Sequence, residues 1–425
     1  APARLPVLVW LPGGSWVTGS TDIGAEHDWA PVYDGSSLAL RGAVVVTVQF
    51  RLGALSFLGG AALRSRGPSS NYGIQDERLA LRWVQRHISS FGGDPNHVLL
   101  FGQSTGAVDV MLHLFSKETE GLFSAAALQS GACLEGLVQP WSYAEKQYAA
   151  LLASTSCPDL ACLLELPAEA LVSAEVGSLW EPILDGAEIR QQPWVSAARG
   201  EVQKVPLIVG FNRDELADPL TTDVGSTAAD FLAVLNESGV PESMWPQIKA
   251  DYEARVSDWY WAIAQFRTDF GFGCPTRMFA EEMVRAGLTV FGYKFSQPPS
   301  ISQQFLWGRQ ALGPPQQLFG AYHGSELYFV WGNREIPVWN ADLTPQELTF
   351  AGRVGRHWLD MAASGNPMGD WPQLRSKSRK WLLLGTQGIT IDEERLLNCT
   401  FIDRVRALTR RQPWKMEGPP QLLHV

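Results

Sequence analysis

The sequence predicts an α/β fold with a largely parallel central sheet, and three observations carry that prediction. Short apolar runs rich in β-branched residues, such as residues 44–50 (VVVTVQF), alternate with longer stretches whose apolar residues keep a helical spacing. One such run, residues 98–101, leads straight into Gly102-Gln103-Ser104-Thr105-Gly106 and then into a helical stretch, residues 107–115. A serine at a strand-to-helix turn with glycine two places before and two places after it is the G-x-S-x-G elbow. Near the start, the buried-strand pattern of residues 7–11 ends at Pro12-Gly13-Gly14-Ser15-Trp16. Backbone N–H groups freed by such a glycine pair can converge on one spot, as an oxyanion hole requires.

Composition narrows the function classes. The 425 residues are 45% hydrophobic and 18% charged, enough apolar content for a large core. Seventeen tryptophans and nineteen phenylalanines suit aromatic-lined cavities as well as core packing. A net charge of −10 without a basic cluster argues against nucleic acid as a partner. No apolar run approaches the roughly 18 residues of a membrane span. The chain begins at Ala1 without an initiator methionine or a signal peptide, so it is expected to be processed or cut.

Taken in order, residues 44–50 should form a central strand. Arg51 closes it, and a buried charge there needs a partner, for which Asp76 is a candidate. Residues 73–91 carry apolar positions at helical spacing and stop at Gly92-Gly93. Residues 98–101 form the strand before the elbow, and the glycines at 102 and 106 keep Cβ atoms away from the crossing strand and helix. Residues 123–129 and 205–210 are further strands, the second followed by Phe211-Asn212-Arg213-Asp214-Glu215. Acidic residues at the carboxyl end of a parallel strand sit where active sites are built, so either Asp214 or Glu215 can orient a histidine. Residues 226–287 read as an aromatic-rich helical insertion, and residues 290–295 as the next strand. No repeat or linker interrupts the chain, which is expected to be one domain over residues 1–425.

A serine nucleophile needs a base, and in elbow-bearing folds the base follows the acid in the chain. Of the seven histidines, His323, His357 and His424 pass that filter. His357 lies within a helical pattern and His424 at a terminus, which leaves His323 in Tyr322-His323-Gly324-Ser325-Glu326. Five cysteines allow two disulfides and one free thiol. Cys157 and Cys162 enclose a tight loop that suits a local bridge better than a metal site, because no histidine cluster lies nearby. The sequons at Asn236 and Asn398 fit an oxidising, secretory setting.

Several stretches together resemble the type-B carboxylesterase and cholinesterase family of α/β-hydrolases. They are VLVWLPGGSWVTG, VVVTVQFRLG, SNYGIQDERLALRWVQRHISSFGGDPNHVLLFGQSTGA, LQSG, VPLIVGFNRDE, AYHGSELYFVWG and ASGNPMGDWPQL, in the family's order and across nearly the whole chain. The resemblance implies Ser104 as nucleophile, Glu215 as acid and His323 as base, with oxyanion donors at the N–H groups of Gly14, Ser15 and Thr105. It pairs Cys274 with Cys399 and Cys157 with Cys162, leaves Cys133 free, and gives Arg51 and Asp76 structural ion-pair roles.

The implied activity is hydrolysis of small-molecule carboxylic esters through an acyl-enzyme, without metal or organic cofactor, in a secreted protein or a secretory-pathway lumen. Sequence does not fix an oligomeric state. The competing expectation is a catalytically silent binding or adhesion domain of the same superfamily. The sequence departs from the family pattern in four places. Ser15 stands where glycine is usual, and Thr105 where alanine is usual. Gln103 stands where glutamate is usual, which removes a negative charge beside the nucleophile and favours a general carboxylesterase over a choline-specific one. Relatives also carry a further segment before the equivalent of Val7, so the N-terminal part of the family fold is expected to be absent.

Overall fold

A computed structural model of the chain describes residues 4–21, 32–64, 67, 70–175, 179–217, 222–300, 319–333, 335–336, 341–375, 380–385, 388–392, 399 and 402–405. Eight strands build its main sheet: β1 (Leu5–Leu11), β2 (Val44–Thr47), β3 (Gly93–Gln103), β4 (Ala125–Gln129), β5 (Leu207–Asn212), β6 (Val290–Phe295), β7 (Trp381–Gly385) and β8 (Gly388–Asp392). Across the sheet they run β8-β7-β6-β5-β4-β3-β1-β2. All these pairings are parallel except the closing β7–β8 hairpin.

A parallel sheet covered on both faces buries both sets of alternating side chains, so its inner strands are apolar throughout. β1 shows this residue by residue. Val7, Val9 and Leu11 enter one core, with Leu100, Leu128 and Val209; Leu8 and Trp10 enter the other, with Leu99, Phe101 and Ile208. Trp10 packs its ring 4.7 Å from Phe101 and 5.4 Å from Trp331. Each fully buried side chain of this size contributes about 1.5–3 kcal/mol to the folded state.

Two helices flank the elbow and its neighbours: α1 (Tyr72–His87) and α2 (Thr105–Phe115). α1 gives way to a short 3₁₀ turn, Ile88–Phe91, at the end of the helical stretch expected from sequence. The expected insertion is helical too, with α3 (Ala228–Glu237), α4 (Trp245–Glu253), α5 (Trp259–Thr268) and α6 (Cys274–Arg285). Phe231, Tyr252 and Phe266 form its own apolar cluster, which also takes in Cys274 and Cys399. Towards the end come α7 (Leu327–Trp331) and α8 (Pro345–Ser364). A capping box opens α8: Thr344 Oγ1 accepts from Glu347 N–H, while the Glu347 carboxylate accepts from Thr344 N–H. Near the C-terminus, residues 402–405 are described and are helical.

Two expectations need correction. β2 is not central: among the described residues it forms the edge of the sheet, and residues 44–47 are half-buried. A β-branched run reports that side chains meet apolar neighbours, and says nothing of how many strands lie beside it. Arg51 does pair with Asp76, through two contacts of 2.7 Å, but its side chain is 50% exposed and was not forced there by burial.

Candidate active site

Ser104 sits at the carboxyl edge of β3 with φ 55° and ψ −127°, a left-handed conformation that costs about 1–3 kcal/mol for a residue with a side chain. The surroundings enforce it. Ser104 N–H donates to the Gln129 carbonyl of β4 at 2.9 Å, and α2 begins at the next residue. The chain crosses itself tightly on both sides of the turn. A Cβ on Gly102 would come 2.5 Å from the Gly106 backbone, and one on Gly106 would come 2.1 Å from the Leu11 carbonyl oxygen.

β5 runs two residues past its apolar run to end at Asn212, which brings Asp214 and Glu215 to the same edge. The two neighbours divide the work. Asp214 accepts from the Arg213 guanidinium and from Ala321 N–H, at 2.7 Å each, and so ties its loop to the histidine loop. Glu215 accepts from Asn212 N–H through Oε1 and meets His323 Nδ1 through Oε2, both at 2.6 Å. The open choice between the two acids is thereby resolved in favour of Glu215 as the histidine's partner.

The Glu215 side chain is fully buried, whereas 21% of the His323 side chain remains accessible. Burial pulls the His323 pKa down, but the Glu215 charge and hydrogen bond, with Glu326 behind them, outweigh it and leave the pKa raised. The Phe272 ring packs 5.0 Å from the imidazole, from the π-helical turn Asp269–Gly273 between α5 and α6. On its other nitrogen, His323 Nε2 meets Gln103 Nε2 at 3.0 Å. The fold therefore brings His323 to the residue adjoining Ser104 across 220 positions of sequence.

The Gly14-Ser15-Trp16 loop adopts φ values of 130°, 57° and 58° in succession. Positive φ at two residues with side chains is strain of the kind that collects at functional sites. This loop lies against the elbow, since a Cβ on Gly13 would fall 2.9 Å from Ser104 Cβ. Thr105 is the first residue of α2, where backbone N–H groups lack intrahelical acceptors and the helix dipole is positive.

Sequence reasoning missed a polar layer behind the histidine. Glu326 is buried and accepts from Asn212 Nδ2 at 2.6 Å and Gln129 Nε2 at 3.1 Å, while Gln129 Oε1 accepts from Trp358 Nε1 at 3.0 Å. Burial and the nearby Glu215 charge push its pKa up to about 7, against the lowering effect of the Asn212 and Gln129 hydrogen bonds. Its position three residues after His323 was the available signal.

The remaining site residues fall elsewhere. The chain holds disulfides between Cys157 and Cys162 and between Cys274 and Cys399, the pairings that the resemblance implied. Cys133 is a half-buried free thiol. Asn236 is exposed in the last turn of α3, whereas Asn398 and His424 lie outside the described residues. His357 Nδ1–H donates to the Pro367 carbonyl, 2.7 Å away, and the ring packs on Trp371. A cavity of about 540 Å³, lined by Leu112, Ser116, Glu188, Gln191, Val202 and Lys204 among others, takes in none of Ser104, Glu215 and His323. Among the described residues no helix is long and apolar enough to cross a membrane.

A mostly parallel sheet with a strained serine turn at its carboxyl edge and a histidine–glutamate pair brought up to it defines the α/β-hydrolase class. The sequence pattern of the Carboxylesterase family matches residues 1–402, and the chain belongs to that family. It is 30% identical over 400 residues to acylcarnitine hydrolase of Mus musculus, covering 87% of this chain and 66% of that protein. Its fold matches the crystal structure of a carboxylesterase from Geobacillus stearothermophilus with a TM-score of 0.77 and 26% identity, over 98% of this chain and 83% of that one.

Proposed function

We propose that this chain is a serine hydrolase of carboxylic esters. Ser104 Oγ attacks the ester carbonyl carbon as its proton passes to His323 Nε2, and Glu215 fixes the imidazole tautomer and stabilises the imidazolium. The N–H groups of Gly14, Ser15 and Thr105 hold the oxyanion, each worth about 2.7–4 kcal/mol by the cost of deleting one such donor elsewhere. Collapse of the tetrahedral intermediate breaks the bond to the alcohol oxygen, which leaves with the proton from His323. Water then adds to the acyl-enzyme by the same route and releases the acid and free Ser104.

The observation that carries this reading is the 2.6 Å contact between Glu215 and His323 Nδ1, on an imidazole whose other nitrogen faces the elbow. Family membership supports ester hydrolysis, and the acylcarnitine hydrolase relative places an acylcarnitine among the esters to try. The neutral side chain at Gln103 supports a general esterase over a choline-specific one. The chain acts as one catalytic domain, residues 1–425, that carries the helices of residues 226–287 as an insertion. Two disulfides and the exposed Asn236 support a secreted or lumenal setting with glycosylation at that residue. Hydrolysis of p-nitrophenyl esters from acetate to palmitate, beside the Ser104→Ala variant, tests the reading. Serine-dependent turnover is expected, with an optimum chain length that reports the acyl pocket; no turnover from folded protein would favour a silent binding domain.

A further inference from the structure

Gln103 occupies the last position of β3, directly before the candidate nucleophile, and the residue is only 5% exposed. Its amide lies between the two loops that matter for the reaction. A Cβ on Gly13 would stand 3.3 Å from Gln103 Oε1, and one on Gly324 would stand 3.7 Å from Gln103 Nε2. The amide nitrogen itself lies 3.0 Å from His323 Nε2.

The hydrogen-bond roles along this line follow from chemistry. Glu215 is an acceptor for Nδ1–H, so the neutral imidazole carries its lone pair on Nε2. An amide nitrogen meeting that lone pair donates to it. Yet this is the lone pair that must receive the Ser104 proton, and an in-plane imidazole lone pair accepts one well-aligned hydrogen bond at a time. Among the described residues Ser104 Oγ forms no hydrogen bond, whereas His323 Nε2 already has the amide.

We propose that Gln103 is a positioning residue that latches the general base in its resting state, an inference that rests on Ser104, His323 and Glu215 acting as nucleophile, base and acid. The Gln103 amide competes with the Ser104 hydroxyl for His323 Nε2, so the nucleophile is activated only when the amide swings away. Once Nε2 is protonated, half a turn of the same amide presents Oε1 as an acceptor for the new N–H. A glutamine can therefore serve the neutral and the charged ring alike, whereas a glutamate favours only the imidazolium.

The test compares the parent with Gln103→Met, which keeps the length but removes the donor, and with Gln103→Glu, which keeps the shape but adds charge. Two readouts are taken against pH: the second-order rate of labelling by a fluorophosphonate, and the ¹⁵N resonance of His323 Nε2, assigned by its loss in His323→Gln. In Gln103→Met the labelling plateau at high pH should rise roughly two- to tenfold, the effect of removing one competing neutral hydrogen bond. Its neutral Nε2 resonance should move downfield, towards that of a free lone pair. In Gln103→Glu both midpoints should move up by about one pH unit or more.

Unchanged resonance and unchanged midpoints in both folded variants would overturn the latch, even if the parent labels well. If the parent does not label at all, the nucleophile reading falls, and the resonance shifts still decide whether Gln103 holds the ring.

Discussion

His323 and His113 each meet a glutamate through a ring nitrogen, at 2.6 Å to Glu215 and 2.8 Å to Glu77, and the two pairs differ in what surrounds them. The first stands at the edge of the sheet with a fifth of the imidazole accessible and its second nitrogen turned to the elbow. The second is sealed between α1 and α2, with both side chains at 0% exposure and His113 Nδ1 without a partner among the described residues. There the buried Asp109 carboxyl accepts from Trp16 Nε1 at 2.8 Å, while Glu77 Oε1 and Asp109 Oδ2 have no hydrogen-bond partner among the described residues.

Burial pushes the pKa values of Glu77 and Asp109 well up, and pulls His113 down to about 4. The inner pair is thus a neutral hydrogen-bonded tie between helices, and the outer one is poised to hold an imidazolium. Contact geometry alone does not make a base: the proposed mechanism also needs a lone pair that the nucleophile can reach.

The largest effect that separates the pairs is on turnover. His323→Gln should lower kcat by about 10⁴-fold or more while the thermal midpoint stays near the parent's. His113→Gln should leave kcat within a few-fold and lower the thermal midpoint. If both variants lose activity alike, the distinction between the pairs fails.

Next comes the pH dependence of the outer pair. On the proposed mechanism His323 accepts a proton only when neutral, and its pKa is raised, so parent kcat/KM should fall as pH drops through a midpoint above 6.5. Glu215→Gln removes the charge and hydrogen bond that do most to hold the pKa up, and leaves burial, the largest influence, opposed only by the Glu326 charge. It should cost about 10³–10⁴ in kcat and move the midpoint below 6.5.

The inner cluster gives a smaller, signed effect on stability. His113 has its pKa lowered from 6.5 to about 4, so its contribution is present above 6.5 and lost as pH falls through 4, roughly 3 kcal/mol in all. Glu77 and Asp109 have raised pKa values, so theirs is present at low pH and lost as pH rises above the ordinary carboxylate range. The two trends oppose each other. In urea unfolding between pH 5 and 7, His113→Gln should lose stability relative to the parent as pH rises. The double variant Glu77→Gln, Asp109→Asn should gain it, and slopes of the same sign would contradict the assignment.

Smallest of all is the Arg51–Asp76 pair, half-exposed on the protein surface. Arg51→Ala should change stability by at most about 1 kcal/mol, and less in high salt.

Sequence made the outer pair far more legible than the inner one, for physical reasons. The elbow is written in local terms, because Gly102 and Gly106 stand where the chain crosses itself within van der Waals contact of other backbone. Strands β1, β3 and β6 are legible because burial on both faces leaves little room for polar residues. Asp214 and Glu215, by contrast, adjoin each other at one strand end. What separates them is the Ala321 N–H, 107 residues away, that claims the aspartate.

Glu77, Asp109 and His113 read as ordinary polar positions on helical stretches. Their burial depends on how α1 and α2 pack, and on Trp16 reaching Asp109 from 93 residues earlier. β7 and β8 were not anticipated, since the decisive pairing of Leu382 with Tyr293 is long-range. β2 was placed wrongly because neighbour number is a property of topology and not of composition.

The most direct test of the serine mechanism is to label the folded chain with a fluorophosphonate and locate the adduct by peptide mass. A single adduct on Ser104, absent in His323→Gln at the same exposure, is the predicted result. An adduct on another residue, or labelling of Ser104 that survives loss of His323 at the parent's rate, would contradict it.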